Sequence, residues 1–348
     1  MTPQALIDLG SDTATRPSDG MREAMASAAV GDEQKGEDPT TRELCDYCAD
    51  LLGMEAAVLL PSGIMANLIA GLTHCGPGDE ILCAADSHIV NSEGAGLAVV
   101  GGLSLSCIPA ERGIFSVEQM AERVRKERLR APRTRLVHIE QTTNRGGGAI
   151  WPADHLVGLS DAARGLGLAL HMDGARLLNA AVASGLPVRI FTQNFDSVWI
   201  DLSKGLGAPV GSVLAGSKSF IESAWRWKHR LGGAMRQSGV LAAAGLYALK
   251  NNVDRLADDH RNARTFAEEI SSIPGIRVEN PEVETNIVFF DVAGTGLEAP
   301  RIAELLMADG VRIGAETGRR MRAVTHLGVN ADQTKQAANI LRAVASSR

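Results

Sequence analysis

Lys204 stands in the sequence where it could form a covalent bond to a cofactor or substrate. It follows the apolar run SVWIDL and lies between a serine and three glycines in DLSKGLGAPVGS, residues 201–212. A strand-end lysine is commonly a solvated charge, and closely spaced glycines also suggest a phosphate-binding loop. The spacing G-x-G-x-x-x-G is one residue too long for a dinucleotide loop, and Pro209 stands where its helix should run. We favour a third interpretation, a Schiff-base lysine whose small neighbours leave room for a flat cofactor.

Other side chains offer what pyridoxal phosphate needs beside such a lysine: an acid at the ring nitrogen, donors for the phosphate and a flat group against the ring. Asp173 ends the apolar run in LALHMDGARL, where it could keep the ring nitrogen protonated or merely cap a helix. Ser62 and Gly63 follow a strand and open a helix in LLPSGIMAN, where free N–H groups favour a phosphate. His88 could stack on the ring, move a proton, or be structural.

The elements that must position these residues form an α/β pattern. Near-continuous apolar runs alternate with amphipathic helices, which indicates a mainly parallel sheet whose ligands bind at the carboxyl ends of its strands. Residues 241–272 are predicted to form one long helix near a domain boundary, followed by a smaller α/β unit. The predicted strands of the first unit are AAVLLP, EILCAA, TRLVHIEQT, LALHMDGA, SVWIDLS and GSVLAGS.

Composition excludes several function classes. The 348 residues carry a net charge of -6, so no general attraction to nucleic acid is expected. The start of the sequence has no basic or apolar leader pattern, and no stretch is long enough to span a membrane; we therefore expect a cytoplasmic protein. Five cysteines suit a reducing compartment, and the C-x-x-C of Cys45 and Cys48 is interpreted as packing, so no metal site is expected.

The motifs together resemble the low-specificity L-threonine aldolases, which are pyridoxal-phosphate enzymes of the aminotransferase-like fold type I within the β-eliminating lyase group. The resemblance covers essentially the whole chain and implies a small-molecule amino-acid substrate. It is carried by DLGSDTATRPSDGMREAM, VGDEQKGEDPT, LLPSGIMAN, SHIVNSEGAG, LALHMDGARLLNA, DLSKGLGAPVGS, GGAMRQSGVLAAAGLYALKNNV, ETNIVFFDV and MRAVTHLGV.

The resemblance also implies roles for individual residues. Lys204 would hold pyridoxal 5'-phosphate as a Schiff base, and His88 would stack on its ring. The remaining implied contacts are Asp173 with the pyridinium, Arg176 near O3′, Ser62, Gly63 and Arg236 around the phosphate, and Ser11 and Arg322 at the substrate carboxylate. Arg236 would act with help from a neighbouring subunit of a homotetramer built from dimers. A large domain over residues 1–250 and a small C-terminal α/β domain over 251–348 are expected.

Three positions depart from the pattern of the resembled family. The family usually has Arg at Gly10, Tyr at Lys35 and His at Thr143, and the last two belong to its substrate region. Because a threonine hydroxyl is not a general base near neutral pH, proton transfer would fall to His88 or water, and a smaller residue would admit a bulkier or β-aryl substituent. The expected reaction is retro-aldol cleavage to glycine and an aldehyde. Open alternatives are β-elimination to a 2-oxo acid and ammonia, and a non-catalytic cofactor-binding protein.

Overall fold

A computed structural model describes residues 6–280 and 282–346 of the chain. Within these ranges the strands are β1 (Ile7–Asp8), β2 (Ala56–Leu60), β3 (Asp79–Ala84), β4 (Ser104–Ile108), β5 (Arg133–Glu140), β6 (Ala169–Gly174), β7 (Ser197–Asp201), β8 (Ser212–Gly216), β9 (Arg277–Val278), β10 (Ile287–Asp291), β11 (Val311–Arg312), β12 (Gly314–Ala315) and β13 (Arg320–Val324).

The α-helices of the same ranges are α1 (Asp19–Ala26), α2 (Pro39–Leu52), α3 (Gly63–His74), α4 (His88–Asn91), α5 (Gly96–Gly101), α6 (Val117–Arg123), α7 (Ala153–Gly165), α8 (Leu177–Ser184), α9 (Val188–Thr192), α10 (Lys218–Arg230), α11 (Gly239–Asn251), α12 (Leu256–Ser271), α13 (Ala299–Ala308) and α14 (Ala331–Ser346). Short 3-10 helices cover Asp12–Ala14, Glu33–Lys35 and Ala293–Thr295. In the described part of the chain, no helix is both long and apolar enough to cross a membrane.

The main sheet has seven strands in the order β2-β8-β7-β6-β5-β3-β4. Its pairs are parallel except those of β8, which runs antiparallel to both β2 and β7. All six predicted strands of this unit are present, so the mainly parallel α/β fold is confirmed. The carboxyl ends of β3, β5, β6 and β7 lie at one edge, because parallel strands in register end together.

One strand of the main sheet, β4, was missed by the sequence analysis. Its sequence, SLSCI, alternates serine with larger apolar residues, but Ser106 is buried whereas Leu105 and Cys107 are only partly buried. The strand pairs only with β3 and forms an edge of the sheet. An edge strand is covered less completely than a central one, so it lacks the continuous apolar run on which the other predictions relied.

The predicted helix over residues 241–272 is wrong in one respect: it is two helices, α11 and α12, separated by residues 252–255. The interruption turns two side chains toward the Lys204 loop. Asn252 Nδ2 donates to the carbonyl of Leu206 at 2.7 Å. Leu256 is buried against Gly205, where a Cβ would lie only 2.8 Å from Leu256 Cδ2. Tertiary packing therefore overrides a locally helical sequence.

The C-terminal part builds a smaller antiparallel sheet, β12-β13-β10-β9, with its own hydrophobic core. Phe266 of α12, Phe290 of β10 and Leu341 of α14 are fully buried in this core. Strand β1 pairs with β11, and Ile7 packs in the same core, although the predicted division gave the N-terminal segment to the large domain. The domain boundary between residues 250 and 251 stays a prediction. The outer ends of the two predicted domains, residues 1–5 and 347–348, lie outside the described residues.

Candidate active site

A cavity of about 490 Å³ opens at the carboxyl ends of the central strands. Side chains from the main sheet, the N-terminal segment and the small domain line it together. The sequence-predicted residues in its wall are Ser11, Ser62, Gly63, His88, Asp173, Arg176, Lys204 and Arg322. Eight positions spread over more than 300 residues of sequence thus meet around one space.

Lys204 lies in the tight turn after β7. Its carbonyl accepts hydrogen bonds from Gly207 N–H and from Thr15 Oγ1, both at 2.9 Å. Its Nζ is 3.2 Å from Asp201 Oδ2, and the side chain is only 19% exposed. Gly207 has φ +80°, and a Cβ there would lie 2.6 Å from Leu327 Cδ2. The glycines therefore allow a close turn that brings a long cationic side chain into a mostly buried position.

Asp173, near the end of β6, is a buried carboxylate that accepts hydrogen bonds on both oxygens. Asn67 Nδ2 donates to Oδ2 at 2.9 Å, and Ala175 N–H donates to Oδ1 at 3.0 Å. Within residues 6–280 and 282–346, no cation forms an ion pair with it. A buried negative charge is costly without a positive partner, so this position suits a protonated ring nitrogen.

His88 begins α4, and its ring is held by a buried acid. His88 Nδ1 lies 2.7 Å from Glu93 Oε1, and this hydrogen bond raises the pKa of His88 while burial opposes it. Burial raises the pKa of Glu93. Asn67 Nδ2 also donates to Glu93 Oε1, at 2.7 Å, and Trp199 Nε1 donates to Asn67 Oδ1 at 2.7 Å. Asn67 thus joins the acid behind the histidine to Asp173.

The start of α3 offers an anion site beside this network. Ser62 is the N-cap, and its Oγ accepts from Met65 N–H at 3.2 Å. A Cβ on Gly63 would lie 2.3 Å from the ring of Trp199, so only glycine fits between helix and ring. The first N–H groups of a helix lack intrahelical acceptors and attract negative charge. This end of the cavity therefore suits a phosphate.

Arg176 and Asp12 form a buried bidentate ion pair in the cavity wall. Nε lies 2.7 Å from Oδ2 and Nη2 lies 2.8 Å from Oδ1. Asn286 Nδ2 donates to the same carboxylate at 3.2 Å. Burial alone would raise the pKa of Asp12, but the guanidinium outweighs it and lowers that pKa to about 2.

Arg322, on β13, faces the cavity from the small domain. Its Nη1 donates to Asn144 Oδ1 at 3.1 Å, and its Nε lies 3.5 Å from Glu316. Burial lowers its pKa, and the nearby charge of Arg176 adds to the effect. Ser11 Oγ accepts from Thr13 N–H at 3.2 Å, so Ser11 is the N-cap of the Asp12–Ala14 helix. A guanidinium with only a long ion pair is well suited to bind a carboxylate.

Glu140 is the most informative residue that sequence analysis missed. It ends β5, and its carboxylate accepts from the backbone N–H groups of His88 and, at 3.1 Å, of Asn144. Burial raises its pKa to about 7, and the charge of Asp173 contributes. Its place at the end of a predicted strand was the available signal. Other missed wall residues are Thr13, Glu93, Thr142, Asn144, Arg145, Trp199, Asp201, Ser203 and Glu316.

Thr143 does not reach the cavity. It is buried behind the wall, where a Cβ on Gly113 would lie 3.0 Å from its Cγ2 and one on Gly146 would lie 2.4 Å from its Oγ1. Its neighbour Thr142 lines the cavity instead. The smaller size of Thr143 therefore does not itself enlarge the space for substrate.

Lys35 and Arg236 lie together outside the cavity wall. Glu33 N–H donates to the carbonyl of Arg236 at 3.0 Å, and Arg236 Nη1 lies 2.8 Å from Asp32 Oδ2. Beneath them, Lys228 and Glu33 form a fully buried ion pair. Lys35 and Arg236 are therefore both exposed on a surface that this buried pair supports. Their roles at the cofactor phosphate and at the substrate stay predictions.

Comparison with known proteins agrees with this geometry. Residues 8–293 match the family model of the beta-eliminating lyases. The chain is 43% identical to the low-specificity L-threonine aldolase of Escherichia coli strain K12 over 339 residues, covering 97% of this chain and 99% of that protein. The chain belongs to the low-specificity L-threonine aldolase family. It is also 42% identical to low-specificity L-threonine aldolase 1 of Arabidopsis thaliana, over 92% of this chain and 91% of the relative.

Solved structures support the fold of this family member. The threonine aldolase of Leishmania major matches with a TM-score of 0.83 at 20% identity, over 98% of this chain and all of that one. A serine palmitoyltransferase of Sphingomonas wittichii matches with a TM-score of 0.75 at 18% identity, over 97% of this chain and 87% of the other. The fold type I architecture expected from the sequence is confirmed.

We expect Asp12→Asn to lower the free energy of unfolding at pH 7 by about 3 to 5 kcal/mol, because it leaves the Arg176 guanidinium buried without a counter-charge. The pKa of Asp12 is lowered in the folded state from 3.8 to about 2. The part of the wild-type advantage that depends on the ionised carboxylate, about 2 kcal/mol for this shift, is therefore complete above pH 3.8 and is lost as the pH falls through about 2.

Urea unfolding followed by circular dichroism at pH 7, 5, 4 and 3 measures this difference. The matched control is Asp50→Asn, which breaks an exposed pair with Arg189 and should change stability little. A difference between wild type and Asp12→Asn that stays constant down to pH 3 would contradict the assignment.

Proposed function

We propose that this chain is a pyridoxal-phosphate-dependent aldehyde-lyase that cleaves β-hydroxy-α-amino acids, such as threonine, to glycine and an aldehyde. The observation that carries the proposal is the meeting in one cavity of Lys204, His88 and the buried Asp173, which forms no ion pair within the described part of the chain. The names of the Escherichia coli and Arabidopsis relatives support the same reaction. When bound, pyridoxal phosphate supplies an electron sink conjugated to the substrate Cα.

The chain's own groups divide the work of holding cofactor and substrate. Lys204 Nζ would hold the cofactor covalently, the first turn of α3 with Ser62 and Gly63 would bind its phosphate, and Asp173 would keep a proton on the ring nitrogen. Arg176, which lines the same cavity, would lie near the ring oxygen. Its pairing with Asp12 fixes the guanidinium, so it needs no rearrangement on binding.

Arg322 and Ser11 bind the α-carboxylate of the substrate. A bidentate guanidinium fixes the rotation about the bonds at Cα, so it selects which of them is broken as well as binding the molecule. Glu140 supports this clamp indirectly, since it holds the backbone of Asn144, which contacts Arg322. The clamp favours a catalytic function over a cofactor-binding scaffold, which would not need it.

His88 takes the proton of the β-hydroxyl. Its Nδ1 is occupied by Glu93, so Nε2 is the nitrogen that can exchange a proton with substrate. Thr143 has no part in this transfer, because its hydroxyl neither reaches the cavity nor ionises near neutral pH. His88 with Glu93 therefore replaces the base that the family usually has at position 143.

The active protein is a cytoplasmic homotetramer of paired dimers. The exposed surface with Lys35 and Arg236 supports this, since both side chains are available to a partner's cavity rather than to their own. In the partner's cavity, Arg236 would add a cation near the phosphate, and Lys35 would approach the substrate.

Product analysis tests the reaction. The purified holoenzyme is incubated with L-threonine and L-phenylserine, and glycine, aldehyde, ammonia and 2-oxo acid are measured. Glycine and aldehyde in equal amounts are expected from either substrate. A 2-oxo acid with ammonia would replace the proposal by β-elimination, and no product from either substrate would favour a cofactor-binding protein without this activity.

Lys204→Ala should abolish both turnover and covalent cofactor binding, because the variant has no amine at this point of the cavity. The measurement is borohydride reduction followed by mass spectrometry, with turnover assayed in parallel. Lys250→Ala, which removes an exposed lysine paired with Glu43, is the matched control and should resemble wild type. A reduced adduct of normal yield on Lys204→Ala would assign the covalent role to another lysine.

His88→Ala should lower kcat for threonine cleavage by about 10² to 10⁴, the usual contribution of a positioned acid or base. Thr143→Ala should cost less than about tenfold, since it removes one buried hydroxyl that lies outside the cavity. Both kcat values are measured from initial rates of acetaldehyde release. Equal losses in the two variants would show that Thr143 takes part in the reaction.

A further inference from the structure

Five side chains in the cavity wall can carry a positive charge, and four of them have an acidic partner. These pairs are His88 with Glu93, Arg176 with Asp12, Lys204 with Asp201, and Arg322 with Glu316. The fifth, Arg145, forms no ion pair with any residue in the described ranges 6–280 and 282–346. It is half-buried, so its charge is only partly solvated.

The backbone around Arg145 is held firmly. Its carbonyl accepts from Arg320 Nη2 at 3.1 Å, and Arg112 Nε donates to the carbonyl of Gly146 at 3.3 Å. A Cβ on Gly146 would lie 2.0 Å from the carbonyl oxygen of Arg112, so the chain passes very close to this neighbour. Thr285 Oγ1 donates to the carbonyl of Gly148 at 2.8 Å. The loop therefore presents Arg145 to the cavity from a fixed base.

The charges that surround Arg145 leave it in need of an anion. The charge of Arg145 acts on one acidic group, Asp86. Burial raises the pKa of Asp86, whereas the charges of Arg145 and Arg320 lower it. It does not form an ion pair with Arg145. On the other side, Arg145 and Arg322 repel each other and the charge of Arg145 contributes to the lowered pKa of Arg322. Two neighbouring guanidinium groups in one wall are stabilised when a ligand brings two negative charges.

Building on the proposed function, we propose that Arg145 binds an anionic group on the β-substituent of the substrate. Arg322 takes the α-carboxylate and the start of α3 takes the phosphate, so Arg145 is left for a second carboxylate. The preferred substrates are then β-hydroxy-α-amino dicarboxylic acids of the 3-hydroxyaspartate type. The Cα–Cβ bond breaks, the hydroxyl loses its proton as the carbonyl forms, and Cα gains a proton, which gives glycine and glyoxylate.

Binding of an unreactive ligand pair tests the proposal independently of catalysis. L-aspartate and L-asparagine have nearly the same shape and no β-hydroxyl, so their dissociation constants for the holoenzyme isolate the second charge. By isothermal titration, wild type should bind L-aspartate about tenfold or more tightly than L-asparagine, the scale of a charge-assisted hydrogen bond. The preference should vanish in Arg145→Gln and survive in part in Arg145→Lys.

Arg112→Gln is the matched control, because Arg112 holds the same loop and pairs with Glu284 but does not line the cavity. It should keep the preference for L-aspartate. If the preference is absent in wild type or persists in Arg145→Gln, the proposal is wrong. A strong loss of cofactor affinity in Arg145→Gln, measured by absorbance titration with pyridoxal phosphate, would assign Arg145 to the phosphate and also overturn it.

A kinetic comparison separates this proposal from the proposed function. The ratio of kcat/KM for L-3-hydroxyaspartate to that for L-threonine should fall by about tenfold or more in Arg145→Gln and stay unchanged in Arg112→Gln. Cleavage of threonine with an unchanged ratio in Arg145→Gln leaves the aldolase function intact and refutes the role of Arg145. If no substrate is cleaved, the proposed function fails, and the L-aspartate preference still decides what Arg145 binds.

Discussion

The buried ion pair between Asp12 and Arg176 is the interaction on which the arrangement of the cavity depends. Asp12 follows the N-terminal strand, Arg176 follows β6 of the main sheet, and Asn286 reaches the same carboxylate from the small domain. A buried pair of this kind is strongly unfavourable when one partner is displaced. The three parts of the chain are therefore tied together at one point, and residues from each can meet in a single wall.

Charge compensation explains most of the remaining geometry. Carboxylates buried beside the cavity need hydrogen bonds or cations, and each one is bound by groups from a different part of the chain. Glu140 accepts hydrogen bonds from the backbone of His88 and Asn144. Glu93 binds the ring of His88, and Asn67 donates to both Glu93 and Asp173. Neither Glu140 nor Asp173 forms an ion pair among the described residues, and Asp173 lines the cavity together with Lys204 and His88. The cavity is thus most stable when a positively charged group is present beside this aspartate.

The departures from the family pattern have different structural consequences. At Gly10, where the family usually has arginine, a Cβ would lie 3.2 Å from Cδ of Arg312, so the side chain of Arg312 already covers this position. Thr143 fills space behind the wall rather than within it. Lys35 lies on an exposed surface next to Arg236. Arg145, which the sequence analysis did not single out, is not one of these three departures, and it adds a positive charge to the cavity wall.

The sequence alone determined six of the seven strands of the main sheet and the chemical types at their ends. Lys204, Asp173 and His88 were recognisable because apolar runs of strand length end just before them, and because long motifs match one family. Sequence analysis could not place Asn67, Glu93 or Glu140 beside these residues, nor place Thr143 behind the cavity wall. Each of these assignments depends on which side chain faces the cavity and which partner lies across from it. That is decided by contacts between residues tens or hundreds of positions apart, so only the tertiary structure could settle it.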